Sequence, residues 1–175
     1  MVKKQTKNRA IQRTANDKRL YTLDVFIMTG PMTERFVKKN RVVSRTIQIR
    51  GGQTLEVLHN AIFSAFDRED NHMYEFQIGG KGPMDPKARR YTLHVYDDDE
   101  NPPAGSVEWT TIGSLGLKVN DAFGYWFDFG DDWRHQINVA AIEEMAGRGK
   151  FPKVVKRVGK SPPQYVDWDE EEEEE

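Results

Sequence analysis

The residues best suited to chemistry fall in one short stretch, Tyr125 to Val139, reading YWFDFGDDWRHQINV. Asp128, Asp131 and Asp132 offer carboxylates and His135 an imidazole around what reads as a tight turn, and His59 and His72 are free to approach it in space. Carboxylates with histidines suit manganese, iron or zinc, ions that activate water for hydrolysis. Against this, aspartate is favoured in hairpin turns for its backbone hydrogen bonds. His135 also shares its strand face with Trp133, Ile137 and Val139, where a histidine packs. Neither HExxH nor HxH spacing occurs, so metal is not called for, and the four candidate ligands are Asp128, Asp131, Asp132 and His135. The tripeptide Asp128-Phe129-Gly130 matches the magnesium-binding motif of protein kinases, but the rest of the kinase signature is missing and the chain is too short for two lobes. Ser44 stands among Arg41, Arg45 and Arg50, yet on a strand these arginines point to different faces, and no GxSxG elbow is present. Of the aromatics, alternation sends Tyr125, Phe127 and Phe129 into the core and Trp126 to the opposite face. Trp126 and Trp133 are then the rings available for stacking.

The elements that must position these groups are legible from periodicity. LYTLDVFIM (20–28) puts Tyr21, Leu23, Val25 and Ile27 on one strand face, and PMTERFVKKN reads as a short helix. In VVSRTIQIR (42–50) Val43, Ile47 and Ile49 point one way. Thr54 caps a helix over about 54–66, in which Leu58, Ile62 and Phe66 recur at helical spacing and His59 sits at the edge of the buried stripe. HMYEFQI places His72, Tyr74, Phe76 and Ile78 on one strand face, YTLHVY (91–96) reads as a strand, and TTIGSLGL holds one helical turn. AFGYWFDF and WRHQINVAAI form a hairpin in which Gly130 is expected to supply a positive φ, and KVVKRV (153–158) is a last strand. The fold class is therefore α+β, a mostly antiparallel sheet with one main helix and short helical turns, in a single domain.

A net charge of −2 over 175 residues conceals oppositely charged ends. Residues 1–19 carry seven Lys/Arg and one acid, residues 167–175 carry eight acids, and residues 20–166 balance at nineteen of each sign. Like-charge runs repel and bury little, so both ends are expected to be disordered tails around a 20–166 domain. Arg148 to Lys160 holds six bases and no acid. The acidic tail can cover that segment, and the basic arm can hold phosphates. Cysteine is absent, which excludes disulfides, cysteine-ligated zinc and thiol catalysis. With no apolar run near ~20 residues and no apolar region in MVKKQTKNRAIQRTANDKR, neither a membrane span nor a secretory leader is expected, and the expected location is the cytoplasm.

TLEVLHNAIFSAF, HMYEF, FGYWFDFGDDWRHQINV and SPPQY occur in that order. Together they resemble the plasmid Ri ORF-three-like family, also labelled insertion-element passenger protein of TnpR type, over residues 20–166. The matching positions are Leu58, His59, His72, Tyr74, Phe76, Asp128, Gly130, Asp131, Asp132, Trp133, His135, Pro162 and Pro163. The chain departs from the family pattern in VVSRTIQIR and in SPPQYVDWD, which lacks the family's glycines. The resemblance implies an α+β fold and association with plasmids and mobile elements; the family has no settled activity. The leading expectation is a non-enzymatic binding module presenting His59, His72, Asp128, Asp131, Asp132, Trp133 and His135 as its contact surface. The second is a metal-dependent hydrolase or nuclease using the four hairpin ligands. The third is a nucleic-acid accessory factor using Lys3, Lys4, Lys7, Arg9 and Arg13 of the arm with Lys153, Lys156 and Arg157. No cofactor is expected, and the partner is a protein or a nucleic acid rather than a membrane.

Overall fold

A computed structural model describes residues 16–95 and 100–168. In chain order the elements are β1 (Leu20–Thr29), α1 (Glu34–Lys39), β2 (Ser44–Arg50), α2 (Leu55–Ala65), β3 (Tyr74–Ile78), β4 (Arg89–Thr92), β5 (Gly105–Ser106), a 3-10 turn (Ile112–Leu115), β6 (Ala122–Phe127), β7 (Trp133–Glu143) and β8 (Lys153–Val158). The eight strands make one sheet in the order β5-β4-β3-β6-β7-β1-β2-β8, antiparallel throughout except for the parallel β4–β5 pair. This is an α+β single-domain architecture. No helix among the described residues is long and apolar enough to cross a membrane.

Alternation builds the core on one face of the sheet. Tyr21, Leu23 and Val25 of β1, Ile47 and Ile49 of β2 and Ile137 of β7 are fully buried, with Phe123, Tyr125 and Phe127 of β6 beside them. Over them lies α2, whose Leu55, Leu58, Ile62 and Ala65 fall on one stripe. Thr54 accepts from Val57 N at 3.3 Å and opens the helix. Its other end has no basic residue of its own in the last turn. There Ala65 O accepts from Arg45 Nε at 2.8 Å and from Arg157 Nη1, so β2 and β8 supply the positive charge that favours a helix C-terminus.

Four local expectations are corrected. Gly130 does not have a positive φ; the left-handed positions of the β6–β7 loop are Asp128 (φ 54) and Asp132 (φ 58). Phe129 is 40% exposed rather than core, because it belongs to the turn and not to β6, and it packs on Trp126 with ring centroids 4.3 Å apart. His72 precedes β3 and is exposed, since β3 begins only at Tyr74, opposite Phe127 at the end of β6. The strand expected over 91–96 spans Arg89–Thr92, the residues that pair with β3 from Ile78 to Glu75.

Candidate functional site

The β6–β7 loop is shaped by its own first aspartate. Asp128 Oδ1 accepts from Gly130 N and Asp131 N, each at 3.2 Å, while Asp132 N donates to Asp128 O at 2.7 Å. A short carboxylate that bonds its own turn makes the left-handed conformation tolerable for a non-glycine residue. Asp128 N donates to Met73 O at 2.9 Å, which ties the turn to the segment before β3. The second carboxylate oxygen, Oδ2, lies 3.4 Å from His72 Nε2, and the same nitrogen is 3.0 Å from the Tyr165 hydroxyl. Asp132 points elsewhere and accepts from Arg134 Nε at 2.8 Å.

Behind the turn, two histidines flank Tyr125. His59 lies flat on Tyr74, with centroids 3.6 Å apart and planes 2° from parallel. Its Nε2 is 3.2 Å from Asn71 Oδ1 and its Nδ1 is 2.8 Å from the Tyr125 hydroxyl, an arrangement served by a neutral ring that donates through Nε2 and accepts through Nδ1. Burial lowers its pKa to about 4, against the smaller opposing effect of Asn71. His135, 1% exposed, donates from Nδ1 to Tyr125 O at 3.2 Å. Burial lowers its pKa to about 3, and the nearby Arg68 charge pushes the same way. Both rings are neutral over the physiological range, and burial raises the Tyr125 phenol well above its usual value.

The segment 161–165 closes over this end of the molecule. Gln164 Oε1 accepts from Glu69 N and Asp70 N at 2.8 and 3.0 Å, its Nε2 donates to Asp70 O at 2.7 Å, and Ser161 Oγ donates to Asp67 Oδ2 at 2.6 Å. Arg45 anchors the same strap. Besides Ala65 O it donates to the carbonyls of Ser44, Val158 and Gly159 and to Ser161 Oγ. Arg68 is the opposite case. It is 7% exposed and lies 3.7 Å over the Trp133 ring, yet neither terminal guanidinium nitrogen reaches an acceptor. Burial lowers its pKa to about 10, opposed by Tyr125, Asp128 and Asp131.

Three stretches far apart in sequence thus meet here: 59–76, 125–135 and 161–165. Of the expected contact residues, His72 is exposed and Asp131 and Asp132 are half-buried at the surface, while His59, Asp128, Trp133 and His135 stand behind them in the interior. The four expected metal ligands do not converge, since Asp128 is spent on the turn, Asp132 on Arg134 and His135 on Tyr125 O. Among the described residues no three His, Asp or Glu side chains are grouped to hold a metal ion. Lys153, Lys156 and Arg157 lie on the edge strand β8. Lys3, Lys4, Lys7, Arg9 and Arg13, and the tail from 169 onward, lie outside the described residues. Sequence reasoning missed Arg45, Arg68, Asn71, Gln164 and Tyr165. For Arg45 a signal existed, because an arginine shares the buried face of β2 with Ile47 and Ile49.

Fold and site together define an α+β sheet protein whose hairpin, helix end and C-terminal strap are fastened into one polar cluster. The chain belongs to the Plasmid pRiA4b ORF-3-like protein family, which matches it over residues 35–169. It is 26% identical over 136 residues to Uncharacterized protein y4hQ of Sinorhizobium fredii, covering 71% of this chain and 59% of that relative, so the chain spans about 59% of the curated relative's length. The crystal structure of the protein of unknown function MM3350 from Methanosarcina mazei Go1 shares the fold with a TM-score of 0.62 at 22% identity, covering 82% of this chain and 71% of that one.

Proposed function

We propose that the protein is a cytoplasmic, non-enzymatic binding module whose contact surface is the turn 128–132 with its neighbours before β3 and in the strap, and that its partner there is a protein. One observation carries the reading: large apolar side chains stand exposed around a turn and strap fixed by internal hydrogen bonds, while the unpaired polar atoms, those of Arg68 among them, lie buried beneath. Met73, Phe129 and Tyr165 are 45%, 40% and 51% exposed, and each adjoins the His72–Asp128 pair by sequence or hydrogen bond. Exposed aromatics and methionine on a fixed scaffold, with charge at the rim, are what protein interfaces use. A catalytic base needs a lone pair within reach of substrate, whereas His59 and His135 face inward and are hydrogen-bonded within the fold.

A photo-crosslinking side chain at position 129, compared with one at the equally exposed Val119, tests this in native extract. The expected result is a discrete adduct from position 129 that position 119 does not give. Identical patterns from both positions sink the proposal. One bound metal per chain in untagged purified protein replaces it with the hydrolase reading.

A further inference from the structure

At the other end of the strands lies a second site of different character. Leu20 pairs with Arg50 on one side and Glu143 on the other, which brings residues 16–18, 50–53 and 149–151 together. They enclose a cleft of about 580 Å³ lined by Lys18, Arg50, Gln53, Lys150 and Phe151 among others. Its one acid, Asp17, is already neutralised by Arg19, Nη2 to Oδ2 at 2.6 Å, and its carboxyl is held below the usual range by that bond. The cations have fewer partners. Arg50 gives one bond, from Nη2 to Gly149 O at 3.2 Å, while its Nε is buried with no acceptor. Arg50 and Lys153 both lie against the Phe151 ring, at 5.1 and 5.0 Å, so cationic charge is held fixed at the cleft wall.

We infer that this cleft binds the phosphate backbone of a nucleic acid. The choice of occupant rests on charge and on where the chain enters. Residues 1–15 hold five bases and no acid, and they join the described structure at Asn16, which lines the cleft. On the adjoining edge strand, Lys153 and Lys156 pair with Gln48 and Thr46, so they stand on the sheet face opposite α2 and continue the row of positive charge beyond the cleft. A small phosphate would be satisfied by the cleft alone. A run of positive charge from Lys18, Arg50 and Lys150 of the cleft to Lys153 and Lys156 of the strand edge matches a linear polyanion, with phosphate contacts that position the strand and read no sequence.

Fluorescence anisotropy of a labelled DNA duplex, titrated with the full chain across a salt series, tests the inference. Binding is expected at about 50 mM salt and should weaken steeply towards about 200 mM. Reversing Lys18→Glu and Lys150→Glu together should weaken binding about tenfold or more and flatten the log–log salt slope by about two, since each phosphate contact contributes about 0.9. Lys38→Glu with Lys39→Glu, both exposed at the end of α1, makes the same four-unit change of net charge and should leave binding unchanged. No DNA binding at low salt overturns the inference. So does binding that survives the cleft reversals, binding lost equally with the control, or retention on anionic vesicles without retention on DNA.

Discussion

Acidification from pH 7 to pH 5 should cost this fold about 4 kcal/mol, and the loss should be traceable to two side chains. His59 and His135 have folded pKa values of about 4 and about 3, lowered from 6.5 chiefly by burial. Each folded value lies below its unfolded one, so the unfolded state takes up protons first as the pH falls. Their stabilising effect is complete above about pH 6.5 and is lost progressively below it, down to the folded values. Over the fully unequal range the slope is about 1.4 kcal/mol per pH unit for each histidine. Between pH 7 and 5 this integrates to roughly 1.8 kcal/mol apiece. Asp17, whose carboxyl is held low by Arg19, titrates below this window and does not contribute to it. Urea unfolding at pH 7, 6 and 5, followed by tryptophan fluorescence, measures the loss as a falling midpoint at constant slope. In His135→Gln the loss should fall to about half that of the parent, because one of the two titrating groups is gone. A midpoint that corresponds to a change under about 1 kcal/mol over the same range would refute the placement of both rings as neutral, interior groups.

The two interior arginines should respond to the same substitution by different amounts. Arg45→Met is expected to lose about 3 kcal/mol or more in chemical unfolding, because it takes the guanidinium donor from the carbonyls of Ser44, Val158 and Gly159 and leaves Ala65 O with Arg157 alone, whereas Arg68→Met should stay within about 1 kcal/mol of the parent. The two glycines near Trp133 should differ likewise. A Cβ at Gly30 would meet Trp133 Cε3, and Gly30→Ala should destabilise by about 1–3 kcal/mol, while at Gly130 the nearest atom is Asp128 Oδ1 at 3.5 Å and Gly130→Ala should change the melting curve by less than about 0.5 kcal/mol. His59 and His135 bond the hydroxyl and the carbonyl of the same Tyr125, so a double-mutant cycle of His59→Ala and His135→Ala should return about 0.5 kcal/mol or more of coupling, and additive losses would contradict it.

Where a property depends on period alone, the sequence is a sufficient guide. The alternation of β1 and the helical spacing of Leu55, Leu58 and Ile62 put the right side chains inward, and the β6–β7 hairpin falls where its turn residues place it. Legibility ends where a distant partner decides. YTLHVY alternates well enough for six residues of strand, but β4 runs only over Arg89–Thr92, where β3 pairs with it. Gly130 is the residue one expects at positive φ, yet Asp128 takes that conformation because its carboxylate accepts two amides of its own turn. The charged run DREDN conceals Arg68, since nothing local says that a tryptophan sixty-five positions later will lie under its guanidinium. The strap is equally opaque: Gln164 reads as one more polar residue in a proline-rich exit until Glu69 and Asp70 present their amides to it.

The two ends of the strands differ in what they expose, apolar side chains at one and cationic ones at the other, and that difference bears on what each end offers a partner. At the hairpin end Asp128, His59, His135, Arg45, Ser161 and Gln164 all bond within the chain, which fixes the shape and leaves Met73, Phe129 and Tyr165 exposed above it. At the cleft end Lys18, Lys150 and Lys153 project from exposed chain. The proposed association through the first end is driven by apolar burial and should be nearly indifferent to salt. Association through the second is driven by exposed charge that salt screens over roughly 8–10 Å. Raising ionic strength before irradiation should therefore release a nucleic acid while leaving the yield of adduct at position 129 unchanged. Simultaneous loss of both would mean that a single charged surface serves for the two, and that the separation of the ends has no functional meaning.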